Sequence, residues 1–527
     1  MSVFHRYLSL ILALAAGPGA SAAGRPNIVF ILADDLGYTD VNVFASHITG
    51  DPTNKMFYET PNIDRLAAGG LSFSQDALYW GDPIKTPQAL LNGSTLLALP
   101  AGHERDDGQD AFTFAEALPE YRSAFVGKWH LGGHGAEGYQ PKDQGFEEIA
   151  FHDAGGSAFR NWRNLWDRNA RIYPEMPQKE LRWGKSGGET GEVYLTDDLS
   201  VQADRFIRSH HKERPGQPFL LYYCEFAVHS PYQAKPGYVD HFAKKPTRGW
   251  NGHRDPVYAA MIRSLDDSVG RLMATLDELK LTENTLVVFM SDNGGIGYVK
   301  SADDTAVTNN APLKGGKAMM HEGGVRVPLV FRWPAKISAG GWCDVPVAAS
   351  DLFPTFVQAG GLDPEAMREK HSLEGHSLMP LFKDPKNGNK HYKRDTFIWH
   401  YPFNVVPLNP DDGYPLTPHS AIRKGDHKLI FDWSGRLKLH DIRKDISERH
   451  DLAGSMPDLT RSLFRELNDW LDAHVETKYM PALNPNYDPE SDPRSYPFVD
   501  LRRKLLGPDR AIRSIAGDAR LEKLTGP

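Results

Sequence analysis

Four polar clusters follow apolar runs of strand length, and together they could carry chemistry. Asp34-Asp35 follows Asn27–Ala33 (NIVFILA), and Ser291-Asp292-Asn293 follows Leu286–Met290 (LVVFM). Gly127-Lys128-Trp129-His130 follows Ser123–Val126 (SAFV), and Ala227-Val228-His229 follows Phe219–Phe226 (FLLYYCEF). Carboxylates and an amide are hard oxygen donors that select Ca2+ or Mg2+ over softer metals, and Ca2+ takes about 6–8 oxygens. Asp34, Asp35, Asp292 and Asn293 would supply part of that shell, with water, substrate or another side chain supplying the rest. A lysine beside the cation neutralises a bound sulfate or phosphate, and a histidine protonates a leaving alkoxide. The chemistry is that of an anionic ester at a divalent cation. The competing reading of each acidic pair is a helix cap. For the lysine and the histidines it is an exposed charge or a hydrogen-bonded core ring. One pair alone would more often be a cap. The argument for a site is that ligands in open α/β sheets collect beyond the carboxyl ends of the strands, and four such ends here carry complementary groups.

These groups need a sheet to bring them together. Apolar runs without polar alternation suit strands buried on both faces. Amphipathic helices lie between them. The clearest spans Tyr258 to Lys280, with Ile262, Leu265, Val269, Leu272, Leu276 and Leu279 at spacings of three and four. Asp266 and Asp267 fall on its other face and are expected to be solvated. The pattern predicts an α/β fold: a large doubly wound mixed sheet sandwiched by helices, with a smaller α+β C-terminal domain. The expected division is 1–22, 23–395 for the α/β domain, 396–480 for the small domain and 481–527 for an irregular tail rich in Pro, Asn and Asp. Ser420–Ile430 and Leu437–Leu439 read as short strands around the turn-like Arg423–Asp426, followed by a helix from about Pro457 to Val475. Trp399, His400 and Tyr401, with the His134 loop, are candidates for a sugar-stacking rim, the alternative being core.

A chain of 527 residues with 40% hydrophobic and 24% charged residues is long enough for one large core plus a smaller domain. Its formal charge of −8 and lack of a Lys/Arg block argue against nucleic acid or an anionic membrane as partner. His5-Arg6, the apolar run Tyr7–Ala16 and the small residues Ala20-Ser21-Ala22 read as a signal peptide, which implies a secreted or periplasmic protein. No later segment is long and apolar enough to span a bilayer. Cys224, in an apolar strand-like run, and Cys343, in a polar connection, are expected to be unpaired.

The chain resembles the sulfatases of the alkaline-phosphatase superfamily. The resemblance rests on PNIVFILADDLGY at Pro26, TPNIDRLAAGG at Thr60, YRSAFVGKWHLG at Tyr121, YAAMIRSLDDSVGRL at Tyr258 and NTLVVFMSDNGG at Asn284. It continues through NAPLKGGKAMMHEGGVRVPLVFRWP at Asn310, DLFPTF at Asp351 and AIRKGDHKLI at Ala421. The resemblance implies a sulfuric ester hydrolase site. Asp34, Asp35, Asp292 and Asn293 would be ligands of Ca2+, with Mg2+ as the alternative. Lys128 and Lys317 would bind sulfate, His130 would lie beside the nucleophile, and His229 of AVHSPYQAK would serve the leaving group. The implied partner is a sulfated small molecule or glycan.

One motif departs from the family. Its nucleophile is a Cys or Ser in C/S-x-P-S-R, oxidised to formylglycine. Between Phe73 and Ala89-Leu90-Leu91-Asn92-Gly93 this chain has Asp82-Pro83-Ile84-Lys85-Thr86-Pro87-Gln88. Aligning the two prolines puts Lys85 on the nucleophile, and anchoring on the downstream helix puts Pro83 there. Neither permits formylglycine, so conventional turnover is expected to be impaired, as in a pseudoenzyme. An ammonium cannot form the aldehyde hydrate, but it could reach Asp34 or Asp35 and partly replace the metal's charge. The alternative is an active hydrolase of sulfate or phosphate esters that uses Thr86 as nucleophile, a residue whose plainer role is an N-cap before Pro87.

Overall fold

The structure is a computed structural model that describes residues 24–75, 77–78, 112–129, 140–153, 159, 194–298, 306–483 (except 372, 388–389, 391, 393, 403–404 and 476) and 499–514. The expectations for residues 1–22, Lys85, Thr86, His130 and His134 lie outside the described residues.

The apolar run Asn27–Ala33 forms strand β1, buried along its whole length. With β2 (Leu71–Phe73), β3 (Arg122–Lys128), β4 (Glu148–Asp153), β5 (Phe219–Cys224), β6 (Thr285–Ser291), β7 (Leu329–Arg332) and β8 (Gly341–Cys343) it builds an eight-stranded sheet. The order is β8-β2-β7-β6-β1-β5-β3-β4. β1 runs parallel to β5 and β6, and β3 runs parallel to β5 and β4. β7 is antiparallel to both β6 and β2, so the sheet is mixed as expected.

Alternate residues of β1 enter two separate cores. Ile28, Phe30 and Leu32 pack on the side of helix Leu352–Ala359, with Phe353 and Phe356. Val29, Ile31 and Ala33 pack on the opposite side, with helices α1 (Pro61–Ala68), α2 (Leu195–Glu213) and α3 (Pro256–Glu278). Each of the larger side chains, fully buried, contributes about 1.5–3 kcal/mol, which is why the run has no polar alternation. α3 begins where Asp255 accepts hydrogen bonds from the amides of Val257 and Tyr258.

Two expectations are corrected here. Asp266 is buried, not solvated: it accepts from the amides of Asn62 and Ile63, each at 2.9 Å, and from Asn62 Nδ2 at 2.8 Å. The unbonded N–H groups at the start of α1 need an acceptor, and a neighbouring helix provides it. Asp267 is half-buried beside Tyr238 and Arg263. Cys343 is not in a polar connection but fully buried in β8, and both it and Cys224 are free thiols.

The C-terminal region forms a four-stranded antiparallel sheet: β9 (Thr396–Tyr401), β10 (His419–Lys424), β11 (His427–Asp432) and β12 (Arg436–Asp441). Helix Pro457–His474 packs on one face, with the Phe431 and Phe464 rings 4.9 Å apart. On the other face Trp399 joins the core of the large sheet. His400 is fully buried between Ser420 Oγ (2.8 Å) and the Tyr479 carbonyl (3.0 Å). Trp399 and His400 are therefore core residues and not a rim: Trp399 faces the larger sheet, while His400, next along the strand, points the other way into the C-terminal region's own interior. Part of the expected irregular tail is a helix, Leu501–Leu506, started by an Asp500 side-chain cap on the Arg503 amide. Among the described residues no helix is long and apolar enough to cross a membrane.

Candidate metal and anion site

The sheet register decides where the acidic strand ends meet. Ala33 pairs with Ser291 and Leu32 with Cys224, so the residues that follow all emerge at one edge. The Asp292 amide donates to the Ala33 carbonyl (3.0 Å), the Asp34 amide to the Ala227 carbonyl (2.9 Å), and the Val228 amide to the Asp34 carbonyl (2.6 Å). Asp35 then turns into the left-handed region, with φ 62°. Such a backbone is strained for a residue with a Cβ and must be held from outside. The Asp35 amide donates to Asp292 Oδ1 (2.9 Å), and the single proton of the Tyr258 hydroxyl is shared between the Asp35 carbonyl (3.2 Å) and the Asp40 carboxylate (2.9 Å).

Oxygen atoms of Asp34, Asp35 and Asp292 lie within 4.8 Å of one another, and all three residues are buried. Asn293 joins them by donating its amide to Asp35 Oδ1 (2.8 Å). Two lysines reach the cluster: Lys128 Nζ lies 2.5 Å from Asp34 Oδ2, and Lys317 Nζ lies 2.7 Å from Asp35 Oδ1. His229 Nε2 is 3.7 Å from Asp35 Oδ2, and its Nδ1 meets the Ser230 carbonyl at 2.6 Å. Because a carbonyl only accepts, Nδ1 must carry a proton, which leaves Nε2 to exchange one with a ligand. The structure brings Lys128, His229, Lys317, Asp34, Asp35, Asp292 and Asn293 together.

The electrostatics are those of a crowded anionic pocket. Burial alone would raise the Asp34 carboxyl, but Lys128, His229 and Lys317 hold it well below the usual range. Burial and the charges of Asp34 and Asp35 push Asp292 well above it. Burial disfavours the Lys317 ammonium, yet Asp35, Asp34 and Asp292 keep it more firmly protonated than a free lysine. Among the described residues, Asp34 Oδ1, Asp35 Oδ2 and Asn293 Oδ1 are buried without a hydrogen-bond partner. Unmatched buried acceptors are costly, and carboxylate oxygens from Asp34, Asp35 and Asp292 so close together suit a hard divalent cation.

Two features hold the pieces in place. Gly127 (φ +120°) lies so close to β5 that a Cβ would come within 1.7 Å of the Cys224 carbonyl, so only glycine can precede Lys128. Farther along, Lys428 of β11 is completely buried between Glu322 and Glu448, 2.7 Å from each, and Glu322 also pairs with Arg326 (2.6 Å). This network ties the C-terminal sheet to the segment after Lys317. Tyr258 and Lys428 were not singled out in the sequence. Tyr258 opens the apolar helix, and Lys428 falls within the short-strand run Ser420–Ile430.

The Sulfatase family model matches residues 26–362, and the model described as N-sulphoglucosamine sulphohydrolase, C-terminal, matches residues 316–474. N-acetylgalactosamine-6-sulfatase of Canis lupus familiaris is 31% identical over 422 residues, covering 74% of this chain and 73% of the relative. Arylsulfatase A of Homo sapiens is 29% identical over 525 residues, covering 89% of this chain and 92% of the relative. The crystal structure of Ps i-CgsB in complex with k-i-k-neocarrahexaose superposes with a TM-score of 0.67 at 29% identity, covering 86% of this chain and 95% of that one. With this fold, this site and these matches, the chain belongs to the sulfatase family, sulfuric ester hydrolases of the alkaline-phosphatase-like fold.

Proposed function

We propose that the protein binds one Ca2+ and the sulfate ester of a glycan at this cluster, and that its conventional sulfatase turnover is impaired. The observation that carries the reading is the close cluster of Asp34, Asp35 and Asp292 carboxylates, with oxygens of Asp34, Asp35 and Asn293 unpartnered among the described residues. Asp34, Asp35, Asp292 and Asn293 would hold the ion, which when bound supplies positive charge against the ester oxygens. Lys128 and Lys317 flank the same point and neutralise the ester's remaining charge. His229 Nε2 stands where it can donate to the bridging oxygen. The glycan class is supported by the relative acting as N-acetylgalactosamine-6-sulfatase and by the neighbour carrying a neocarrahexaose. Impairment is supported by Lys85 at the nucleophile position of the sequence. Export through residues 1–22, and a small domain at 396–480 after the α/β domain at 23–395, belong to the same reading.

Calorimetry with Ca2+ and a turnover assay on 4-nitrophenyl sulfate test it together. One tightly bound ion with negligible turnover is the expected result. Absence of a stoichiometric ion would favour a site neutralised by lysines alone, with Lys85 joining Lys128 and Lys317. Ordinary turnover would overturn the impairment, and loss of that turnover in Thr86→Ala would assign the nucleophile to Thr86.

A further inference from the structure

Lys317 reaches the site from a loop that the C-terminal sheet grips. The next residue, Ala318, has φ 66°, a conformation costing about 1–3 kcal/mol for a non-glycine residue unless its surroundings enforce it. Its carbonyl lies 3.0 Å from Nε2 of His419, the first residue of β10, and Nδ1 of the same buried ring lies 2.8 Å from the Thr417 carbonyl. Both partners are acceptors only. A neutral imidazole carries a single N–H, so only the imidazolium satisfies both contacts.

We infer that His419 is a positioning residue whose doubly protonated ring holds the Ala318 carbonyl and so sets Lys317 against the ester anion; the inference rests on the reading of Lys317 as an anion-binding residue. The lysine's own amide is tied on the other side, to the Gly295 carbonyl at 3.2 Å. The loop is thus fixed by the large sheet before Lys317 and by the C-terminal sheet after it. Without the His419 contact, nothing of β10 would oppose the tendency of Ala318 to leave its strained conformation.

The groups facing the ring determine when the clamp is complete. Asp432 is its register partner on β11, and the Tyr401 ring of β9 lies 5.6 Å away. Around the adjoining cavity stand His321, Asp411, Arg436 and Lys438. Asp432 is paired with Arg436 (2.5 Å), and Asp411 with Lys438 (2.7 Å). Burial and the charges of Lys314 and Lys428 push the His321 imidazole well below its usual range. For His419, burial lowers the pKa below 6.5 against the pull of Thr417, Asp432 and Ala318. The two-bond clamp therefore belongs to the acid side of the histidine range, and one bond is given up toward neutral pH.

The test uses full-length protein with 15N-labelled histidine rings and inorganic sulfate as the probe. At pH 5.5 one buried ring, assigned through its Tyr401 neighbour, should carry protons on both nitrogens and vanish in His419→Gln. Sulfate should bind wild type about tenfold more tightly than His419→Gln at pH 5.5, the equivalent of one hydrogen bond, with the gap closing by pH 8. Ala318→Gly, which removes the φ penalty, should restore His419→Gln to within about threefold of wild type. A purely structural role would leave no such pH-dependent gap. At pH 5.5, a singly protonated ring in the sulfate-bound wild type, or equal affinities of wild type and His419→Gln, overturns the clamp alone. A wild type that binds no sulfate sinks the site reading and the positioning role with it. If His419→Gln fails to fold, the protonation of the wild-type ring decides.

Discussion

Lys128 Nζ stands 2.5 Å from Asp34 Oδ2, although the two are 94 residues apart and their strands are separated by β5. The contact makes one carboxylate answer to two cations, the ammonium and the proposed metal. Truncating Lys128 should then act in opposite directions on two ligands. In Lys128→Met, sulfate affinity should fall about tenfold or more, while Ca2+ affinity should rise, because Asp34 loses its competing partner. In chelator the variant should lose about 3–5 kcal/mol, the cost of stranding a buried charge, and added Ca2+ should return much of it. Titration calorimetry with each ligand checks the opposed signs. A parallel loss of both affinities would mean that Lys128 only supports the fold.

Asp292 is the most frustrated member of the cluster, raised by burial and by the like charges of Asp34 and Asp35. Asp292→Asn should relieve that repulsion and leave the chelated protein at least as stable as wild type. The Ca2+-dependent rise in Tm should disappear. For wild type that rise should correspond to about 2.7 kcal/mol at a hundredfold excess over Kd. Thermal melts with and without chelator measure both quantities.

Asp266 gives a pH prediction remote from the site. Burial, outweighing the Ile63 and Asn62 hydrogen bonds, moves its pKa from 3.8 up to about 7. Between those values the folded chain keeps a proton that the unfolded chain has released. This contribution to stability is thus complete below about pH 3.8 and is lost as pH rises through about 7. Asp266→Asn should flatten that slope, by up to about 1.4 kcal/mol per pH unit in urea-unfolding midpoints. An unchanged slope would show that the amide donors keep Asp266 ionised throughout.

Lys428 tests the junction between the sheets. Lys428→Met leaves Glu322 and Glu448 buried beside each other, with Arg326 and, more weakly, Arg423 as the remaining countercharges of Glu322. The expected destabilisation is about 3–5 kcal/mol by urea denaturation. Because Glu448 also accepts from the Glu322 amide (2.7 Å), sulfate affinity should drop as the segment after Lys317 loosens.

The acidic strand ends were legible because NIVFILA is followed at once by Asp34 and LVVFM, after Ser291, by Asp292, and β1 spans the first run residue for residue. Helix α3 was nearly as clear, since its apolar stripe repeats at helical spacing. What escaped were partnerships between distant elements. Asp266 lies off that stripe, and the stripe cannot reveal that α1 docks its N-terminus there. Trp399 and His400 carry the marks of a binding rim, yet Trp399 is part of the face by which a second sheet attaches and His400 is a hydrogen-bonded core ring on that sheet's other side. Likewise, 101 residues separate His419 from Ala318, and no periodicity links them.

The register between β1 and β6 also sets an order of events. The amide of Asp35 finds its acceptor on Asp292, 257 residues later in the chain. During synthesis, the first two carboxylates must wait for most of the large sheet to be made before their companions exist. Contacts of such separation are costly in loop entropy and form late. A cation held by all four side chains would thus bind no early intermediate. Its uptake would mark completed assembly, and it would lock the chain's first strand to one made hundreds of residues afterwards.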